Sequence, residues 1–404
     1  MHIIGSVRDE ARDAPESGIV AVVNHGRGKP GLIPLWVGEG DLPTPEFIAR
    51  PAAEALLAGE TFYTWQRGLP ELRAALARYH ERHFGRQFAA EEFIVTGGGM
   101  QAIQLAIDAV AGAGDEVIHL TPSWPNLPAA LGVAGARPVP VALDVTPDGW
   151  RCDPARIEQA ITPRTRALFV NTPSNPTGWT ADQATLRQIL GIARRHGLWI
   201  LADEIYALFH YEEGRAPSFL DIVDDDDRII IVNSFSKNWS MTGWRMGWLR
   251  IHPSLQQIFE NLIQYATSGV AQFMQRGGVA ALDVGDDFVM AQVARAHAGR
   301  DLVCGILAQS DAIRCAPPDG AFYLFLSIDG VSDTARAAIE IVDRANVGLA
   351  PGSAFGMAGE GFFRLCFHRR HDHLEEAAHR LVEWAAARRT DAAWSNRVPD
   401  NECR

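Results

Sequence analysis

Ile229-Ile-Ile-Val-Asn-Ser-Phe-Ser-Lys237, continued by Asn238-Trp-Ser-Met-Thr-Gly-Trp-Arg245, is the stretch on which the rest of the chain turns. An apolar β-branched run reads as a strand, and it stops at small hydroxyl residues around one lysine. A Gly/Trp-rich turn then leads to an arginine eight residues on. An ammonium ion is strongly hydrated and normally stays on an exposed face. In a partly dry pocket the same group loses its proton and condenses with an aldehyde. The arginine is a fixed cation of the kind that grips a phosphate. An aldehyde with a phosphate handle describes pyridoxal 5'-phosphate (PLP). Taken alone, Ser-x-x-Lys also reads as a surface lysine at a strand end.

The 404 residues suffice for two domains and a large core. Apolar residues make up 47% and charged residues 21%, which is ordinary globular composition. A net charge of -12 argues against binding that rests on neutralising nucleic-acid phosphates, and against an anionic membrane surface. The run Asp224 to Asp227 reads as a solvated loop, because like charges repel and stay wet. Cysteines 152, 304, 315, 366 and 403 are scattered without a CxxC or a Cys/His cluster, so no metal is expected. No segment approaches the ~18 apolar residues of a membrane span, and the expected location is cytoplasmic.

Short aliphatic runs alternate with longer amphipathic stretches such as Gly99 to Ala111 and Ala181 to His196. The expected strands are 93–95, 116–120, 137–141, 167–171, 199–203, 229–233 and 246–251. This alternation predicts an α/β domain with a mostly parallel seven-stranded sheet, whose ligand sits at the C-terminal strand ends. After about residue 290 the pattern becomes that of a smaller α+β domain, with Gly320-Ala-Phe-Tyr-Leu-Phe-Leu, a helix near 333–345, Phe363-Arg-Leu-Cys-Phe and a closing helix at 373–389. The expected division is an arm over 1–45 that joins the small domain, a large domain over 46–290, a small domain over 291–389 and a loose tail over 390–404.

Several strand ends carry residues suited to such a ligand. Thr96-Gly-Gly-Gly-Met100 opens a helix, where glycines admit a ligand to the backbone and unpaired N–H groups meet a phosphate; a tight strand-to-helix turn is the alternative. Pro122-Ser-Trp124-Pro125 presents an indole on a stiff loop, suited to stacking on a planar ring or simply to packing. Asn171-Thr-Pro-Ser-Asn175-Pro-Thr-Gly178 leaves the Asn175 amide at a strand tip, either as a donor or within an Asx-type turn. Asp203 ends an apolar run and needs a cation such as a protonated pyridine nitrogen, unless it caps a helix; Tyr206 follows within reach of the ring's O3′. Arg364 lies inside Phe362-Phe-Arg-Leu-Cys-Phe367, where a planar guanidinium suits a substrate α-carboxylate; an edge strand facing water is the other possibility.

Together and in this order, these residues resemble the class I/II aminotransferases, PLP enzymes of fold type I. The resemblance runs from about Ser17 to Trp384 and includes Ser17-Gly-Ile-Val-Ala-Val, Gly38-Glu-Gly-Asp-Leu-Pro-Thr-Pro, Tyr63-Thr-Trp-Gln-Arg-Gly-Leu-Pro, Gly320-Ala-Phe-Tyr and Pro351-Gly-Ser-Ala-Phe-Gly. It implies that Lys237 is the Schiff-base lysine and proton carrier, Asp203 the partner of the pyridinium nitrogen, Trp124 the stacking ring, and Asn175 and Tyr206 the O3′ donors. It implies a phosphate cup of Ser234, Arg245 and the backbone at Gly98, Gly99 and Met100, reached by Tyr63 of a neighbouring subunit in a homodimer with shared sites. Arg364, Asn175 and the backbone at Gly38 would clamp the α-carboxylate. The family commonly has Gly-x-Pro-Asp-Phe where this chain has Gly38-Glu-Gly40-Asp-Leu, a less stiff segment over the substrate.

The activity so implied moves the amino group of an L-amino acid to a 2-oxo acid in two half-reactions through Lys237. The same machinery also serves C–S β-lyases and related eliminations, and a PLP-binding sensor without catalysis is a third reading. For the substrate side chain, His25, Arg27, Lys29 and Arg67 are candidates by position only, and Trp36, Trp65 and Trp124 would tolerate an apolar or aromatic group.

Overall fold

The computed structural model describes residues 3–212 and 214–390. Seven strands form the larger sheet: β1 (Phe93–Thr96), β2 (Glu116–Thr121), β3 (Arg137–Ala142), β4 (Thr165–Asn171), β5 (Trp199–Asp203), β6 (Ile229–Ser234) and β7 (Gly247–Arg250). Their spatial order is β1-β7-β6-β5-β4-β2-β3. Neighbours pair parallel except at β7, which runs antiparallel to β1 and β6. The mostly parallel α/β sheet expected from the sequence is therefore present. Each predicted strand lies within two residues of an observed one at either end.

Helices cover both faces, so the central strands read as unbroken apolar runs; every residue of β6 is buried. On one face Ile94, Val117, Phe169, Leu201 and Val232 pack with α1 (Gly99–Val110). On the other, Ile118, Leu168, Ile200 and Ile231 pack with α2 (Gln183–His196). α2 starts two residues later than the periodicity predicts because Asp182 caps it, accepting from the Thr185 N–H at 2.7 Å. Gly197 ends it at φ 64°.

A second, antiparallel sheet has the order β8-β9-β11-β10, formed by β8 (Ile313–Arg314), β9 (Tyr323–Ile328), β10 (Ala350–Pro351) and β11 (Phe362–Cys366). Its core takes Ala296 and Val303 of α3 (Asp286–Leu307), Ile341 of α4 (Thr334–Ala345) and Leu374 and Leu381 of α5 (His371–Thr390). The chain's start joins this core through Val22 and Trp36, and Ile33–Pro34 pairs in parallel with Val347–Gly348. Arg364 stands between Phe325 of β9 and Ala350 of β10, so it is on an inner strand and not on the edge that the sequence left open.

The acidic run differs from its expectation. Asp224 is exposed, but the Asp227 side chain is only 7% exposed and pairs with Arg194 at 2.6 Å. A like-charge run stays wet only where no cation reaches it, and Arg194 reaches this one. The tail from 391 lies outside the described residues. Among them no helix is long and apolar enough to cross a membrane.

Candidate active site

Because β7 alone is reversed, the C-terminal ends of β1, β2, β4, β5 and β6 lie along one edge of the sheet, where open α/β sheets take ligands. Lys237 sits there, three residues past β6, in the short helix Phe235–Asn238. The Ser234 hydroxyl caps that helix, accepting from the Ser236 N–H at 3.1 Å. Lys237 is half-buried, its Nζ donates to the Gly38 carbonyl at 2.6 Å, and among the described residues no carboxylate pairs with it. Burial pulls its ammonium down to about 8, aided by Arg364 and Arg245 and opposed by Cys366 and Glu39. A lysine so placed sheds its proton near neutrality.

Asp203 closes β5 and is 3% exposed. Burial pushes its carboxyl up to about 7, against the pull of the Ile205 N–H (3.3 Å to Oδ1) and the Lys237 charge. It needs a cation, and no ion pair among the described residues provides one. The adjoining Glu204, equally buried, is answered by the Ser218 hydroxyl at 2.6 Å and the Phe219 N–H at 3.1 Å. Asp203, Trp124, Asn175, Asn171, Ser123 and Phe169 line one small cavity, so the predicted stacking ring, amide and acid converge.

Arg364 is 3% exposed, and its fork is held in place by the chain itself. Nη1 donates to Asn175 Oδ1 at 2.8 Å, and Nη2 donates to the Trp36 carbonyl. Its Nε is buried without a hydrogen-bond partner. The guanidinium lies over the rings of Tyr323 and Phe355, at 4.7 and 4.9 Å. No carboxylate neutralises it among the described residues, an arrangement that is costly unless an anion arrives.

The turn after β1 is shaped to admit an anion. Gly98 adopts φ 91° and opens α1, and a Cβ there would lie 2.7 Å from Arg245 Nη2. The first N–H groups of α1, at Gly99 and Met100, have no intrahelical partner. Gly247 brings this turn against β6, since a Cβ on it would meet Asn233 O at 2.8 Å and Gly99 N at 2.9 Å. The Ser234 hydroxyl donates to the Met246 carbonyl at 3.1 Å and can accept from the Ser236 hydroxyl, 2.9 Å away. Arg245 is exposed, with Nη1 on the Thr242 carbonyl at 2.8 Å.

Tyr206 is 2% exposed, and its hydroxyl lies 2.7 Å from that of Tyr323. Tyr323 is a residue that sequence reasoning passed over as a site member. Fully buried at the start of β9, it touches Tyr206, underlies Arg364 and presses on Gly38, where a Cβ would be 2.1 Å from its hydroxyl. The signal was available in Gly320-Ala-Phe-Tyr323, a polar-tipped ring opening a strand whose pair carries the arginine. Also missed were Cys366, whose thiol donates to the Glu39 carbonyl at 3.5 Å, and His368, stacked on Phe322. His368 explains the departure at Gly40: a Cβ there would be 2.7 Å from the buried imidazole.

Tyr63 is not brought to the cluster and is 93% exposed. The cations considered for the substrate side chain are engaged elsewhere: His25 pairs with Asp343 at 2.9 Å, Arg27 donates to Asn24 at 3.0 Å, Lys29 donates to the Val342 carbonyl, and Arg67 pairs with Glu260 at 3.2 Å. Trp65 is 58% exposed, and Trp36 is buried against Gly26 and Gly348.

Residues 30–381 match the family of aminotransferases of class I and II. The chain belongs to this family. An aspartate aminotransferase of Streptomyces avermitilis is 34% identical over 391 residues, 94% of either chain. An arginine–pyruvate transaminase of Pseudomonas aeruginosa is 33% identical over 88% of this chain and 90% of its own. The solved structure of the aspartate aminotransferase from Rhizobium meliloti superposes with a TM-score of 0.87 at 31% identity, covering 94% of this chain and 99% of that one. The enzyme thus transfers amino groups, in a family that uses PLP. Its own residues fit that group: a glycine cradle facing a helix start, a buried acid lacking a cation and a half-buried lysine lacking an acid.

Proposed function

We propose that this aminotransferase moves the amino group of an L-amino acid to a 2-oxo acid, with PLP carried on Lys237. Ser234, Arg245 and the backbone at Gly98, Gly99 and Met100 would hold the phosphate. Asp203 would hold the pyridine nitrogen protonated, Trp124 would cover the ring, and Asn175 and Tyr206 would donate to its phenolic oxygen. When bound, PLP supplies the sink for the electron pair left as the Cα–H bond breaks. Arg364 takes the substrate α-carboxylate, with the Asn175 amide and the Gly38 backbone beside it. Lys237 Nζ, neutral above about 8, takes the Cα proton and returns it on the other side of the transfer. For that it must leave the Gly38 carbonyl, so substrate entry and release of this segment are coupled.

One observation carries the reading. A half-buried lysine and a buried acid share one end of the larger sheet, a buried arginine of the second sheet reaches Asn175 there, and none of the three is paired with another. The test is the visible absorption of the purified protein with PLP as single amino acids are added without an acceptor. Conversion of the lysine-bound band to that of the aminated cofactor supports amino transfer. Steady ammonia release without conversion would favour a lyase, and no band at all would overturn the role of Lys237.

The reading extends to a homodimer in which Tyr63 reaches the partner's phosphate cup. Its support is the exposure of the large apolar side chains Leu57 (87%), Phe62 (82%), Tyr63 and Tyr265 (87%). It also includes a cytoplasmic location, supported by four free cysteines among the described residues.

A further inference from the structure

A large cavity bordering the site lies at the opposite edge of the sheet from Tyr63. The Tyr63 segment runs alongside β1, with the Val95 N–H on the Arg67 carbonyl at 3.0 Å, whereas this cavity opens on β3, the other outermost strand. His119 and Thr121 of β2 and Pro140 and Ala142 of β3 share one sheet face by register, and all four line the cavity. The rest of the wall comes from Pro138, from Pro15–Gly18, from residues of the segment 123–129 that include the polar Ser123 and Asn126, and from the segment Ser353–Ala358.

Two contacts join it to the catalytic cluster. Ser123 lines both this cavity and the one shared by Trp124, Asn175 and Asp203. Phe355 lines the cavity, while the Arg364 guanidinium lies 4.9 Å over its ring and its carbonyl accepts from the Ser123 N–H at 3.0 Å. Ser123 and Phe355 are thus the boundary between this space and a substrate whose α-carboxylate sits on Arg364.

The wall's charge is one-sided. Among the described residues no lysine or arginine lines it. Glu16, exposed at the rim, has no ion-pair partner among the described residues. His119 is 5% exposed, its Nδ1 has no hydrogen-bond partner, and burial pulls it down to about 4, so it is neutral at pH 7. Much of the remaining surface is proline and alanine. Its ≈ 790 Å³ falls within the roughly 300–1,000 Å³ of ordinary ligand pockets, which is room for any amino-acid side chain, so charge must discriminate.

We propose that this cavity receives the substrate side chain and selects long, mainly apolar side chains with a cationic tip, accepts uncharged ones, and rejects carboxylates. The methylene stem would lie on the prolines and the tip would face Glu16, while a second carboxylate would meet an anion and an apolar wall without a cation. This rests on the function proposed above, and the experiment separates the two.

Equilibrium binding to the PLP-loaded enzyme by calorimetry, with 6-aminohexanoate, hexanoate and glutarate, reads the wall, the lysine-bound band being followed in parallel so that condensation of the 6-aminohexanoate amine with the cofactor is scored apart from binding. The expected order of affinity is that order, with roughly tenfold or more between first and last. Rates of cofactor amination by L-lysine, L-methionine and L-glutamate should follow the same order. Glu16→Lys should reverse the preference between 6-aminohexanoate and glutarate. Ala142→Trp, which fills the space, should slow lysine and methionine relative to alanine by roughly tenfold. Glutarate binding as tightly as 6-aminohexanoate, an unchanged preference in Glu16→Lys, or equal slowing of alanine in Ala142→Trp would each overturn the proposal. A visible lysine-bound band with the wrong order of substrates refutes this selection alone; absence of the band refutes the function and this inference with it.

Discussion

The two ends of the larger sheet both hold buried charge, and they treat it differently. At the N-terminal end, Glu116 opens β2 with its side chain 1% exposed. Arg137 at 2.7 Å, Arg164 at 2.6 Å and the Thr162 hydroxyl at 2.7 Å answer its carboxylate, and those hydrogen bonds, Arg137 first, hold it down at about 2. At the C-terminal end, Asp203 and Arg364, which reaches there from the second sheet, are almost as enclosed, Lys237 is half-buried, and none has a counter-ion among the described residues. Burial alone does not mark a site, since Glu116 is buried and structural. What marks it is a set of buried ionisable groups whose obvious partners are missing. Glu204 shows that a missing counter-ion is not enough by itself: burial raises it to about 7 as well, but the Ser218 hydroxyl and the Phe219 N–H satisfy its carboxylate, whereas Asp203 accepts one N–H at 3.3 Å.

The sharpest attempt to break this contrast is Lys237→Ala. Amino transfer should fall on the order of 10⁴-fold or more, while circular dichroism and PLP retention show that the fold and cup persist. Full transaminase activity in this variant would end the assignment. Asp203→Asn comes next, with an expected loss on the order of 10²–10³-fold. The same change carries a stability signature of opposite sign. The folded Asp203 carboxyl is raised to about 7 from its ordinary 3.8. The stabilisation from its protonated form is complete below 3.8 and is lost as pH rises to about 7. The cofactor-free enzyme should therefore weaken between those values, and Asp203→Asn should remove that part of the slope. At pH 8 the cofactor-free variant should be more stable by about 2 kcal/mol in urea unfolding, a figure well under the full shift because buried sites relax. A variant less stable than the parent at pH 8 would mean that Asp203 has a partner of its own.

Tyr323→Phe sharpens the contrast from within the cluster. If Tyr206 is to point its own proton at the site, its oxygen must accept from the Tyr323 hydroxyl 2.7 Å away. Removing that donor should lower kcat/KM about tenfold and unfolding free energy by about 1 kcal/mol, because one buried hydroxyl loses its partner. Unchanged kinetics would show that the pair serves packing alone.

Much of the C-terminal end was legible in the sequence, for a physical reason. A strand followed by small residues and a lone Lys, Asp or Asn is a local pattern, and a parallel sheet carries such strand ends to one edge. Lys237, Asp203, Asn175 and Trp124 were found that way. Tyr323, Cys366 and His368 were not, because their importance lies in what touches them across the second sheet and the segment at Gly38–Gly40, over separations of hundreds of residues. Gly40 shows the limit well: the sequence revealed a missing proline and suggested looseness, whereas the structure gives a glycine pressed on a buried imidazole. Arg164 and Thr162 as partners of Glu116 were equally invisible, since pairing across a parallel sheet leaves no periodic trace.

The smallest expected effect on catalysis tests the other arm of the comparison. Glu116→Gln should leave amino transfer within about twofold, because the cluster lies at the end of the sheet away from Lys237. Its effect should appear in stability and in pH. The carboxyl is held at about 2 against an ordinary 4.5, so its ionised pairing contributes fully above 4.5 and is lost as pH falls toward 2. The parent should therefore lose stability over that window more steeply than the variant, and the two melting temperatures should converge at the acid end. The partner arginines are 60% and 65% exposed, so salt should shrink the difference at neutral pH. A large loss of activity in Glu116→Gln, with the melting temperature unchanged, would mean that satisfied buried charge at the far end of the sheet also serves the chemistry, and that partner satisfaction does not separate scaffold from site in this fold.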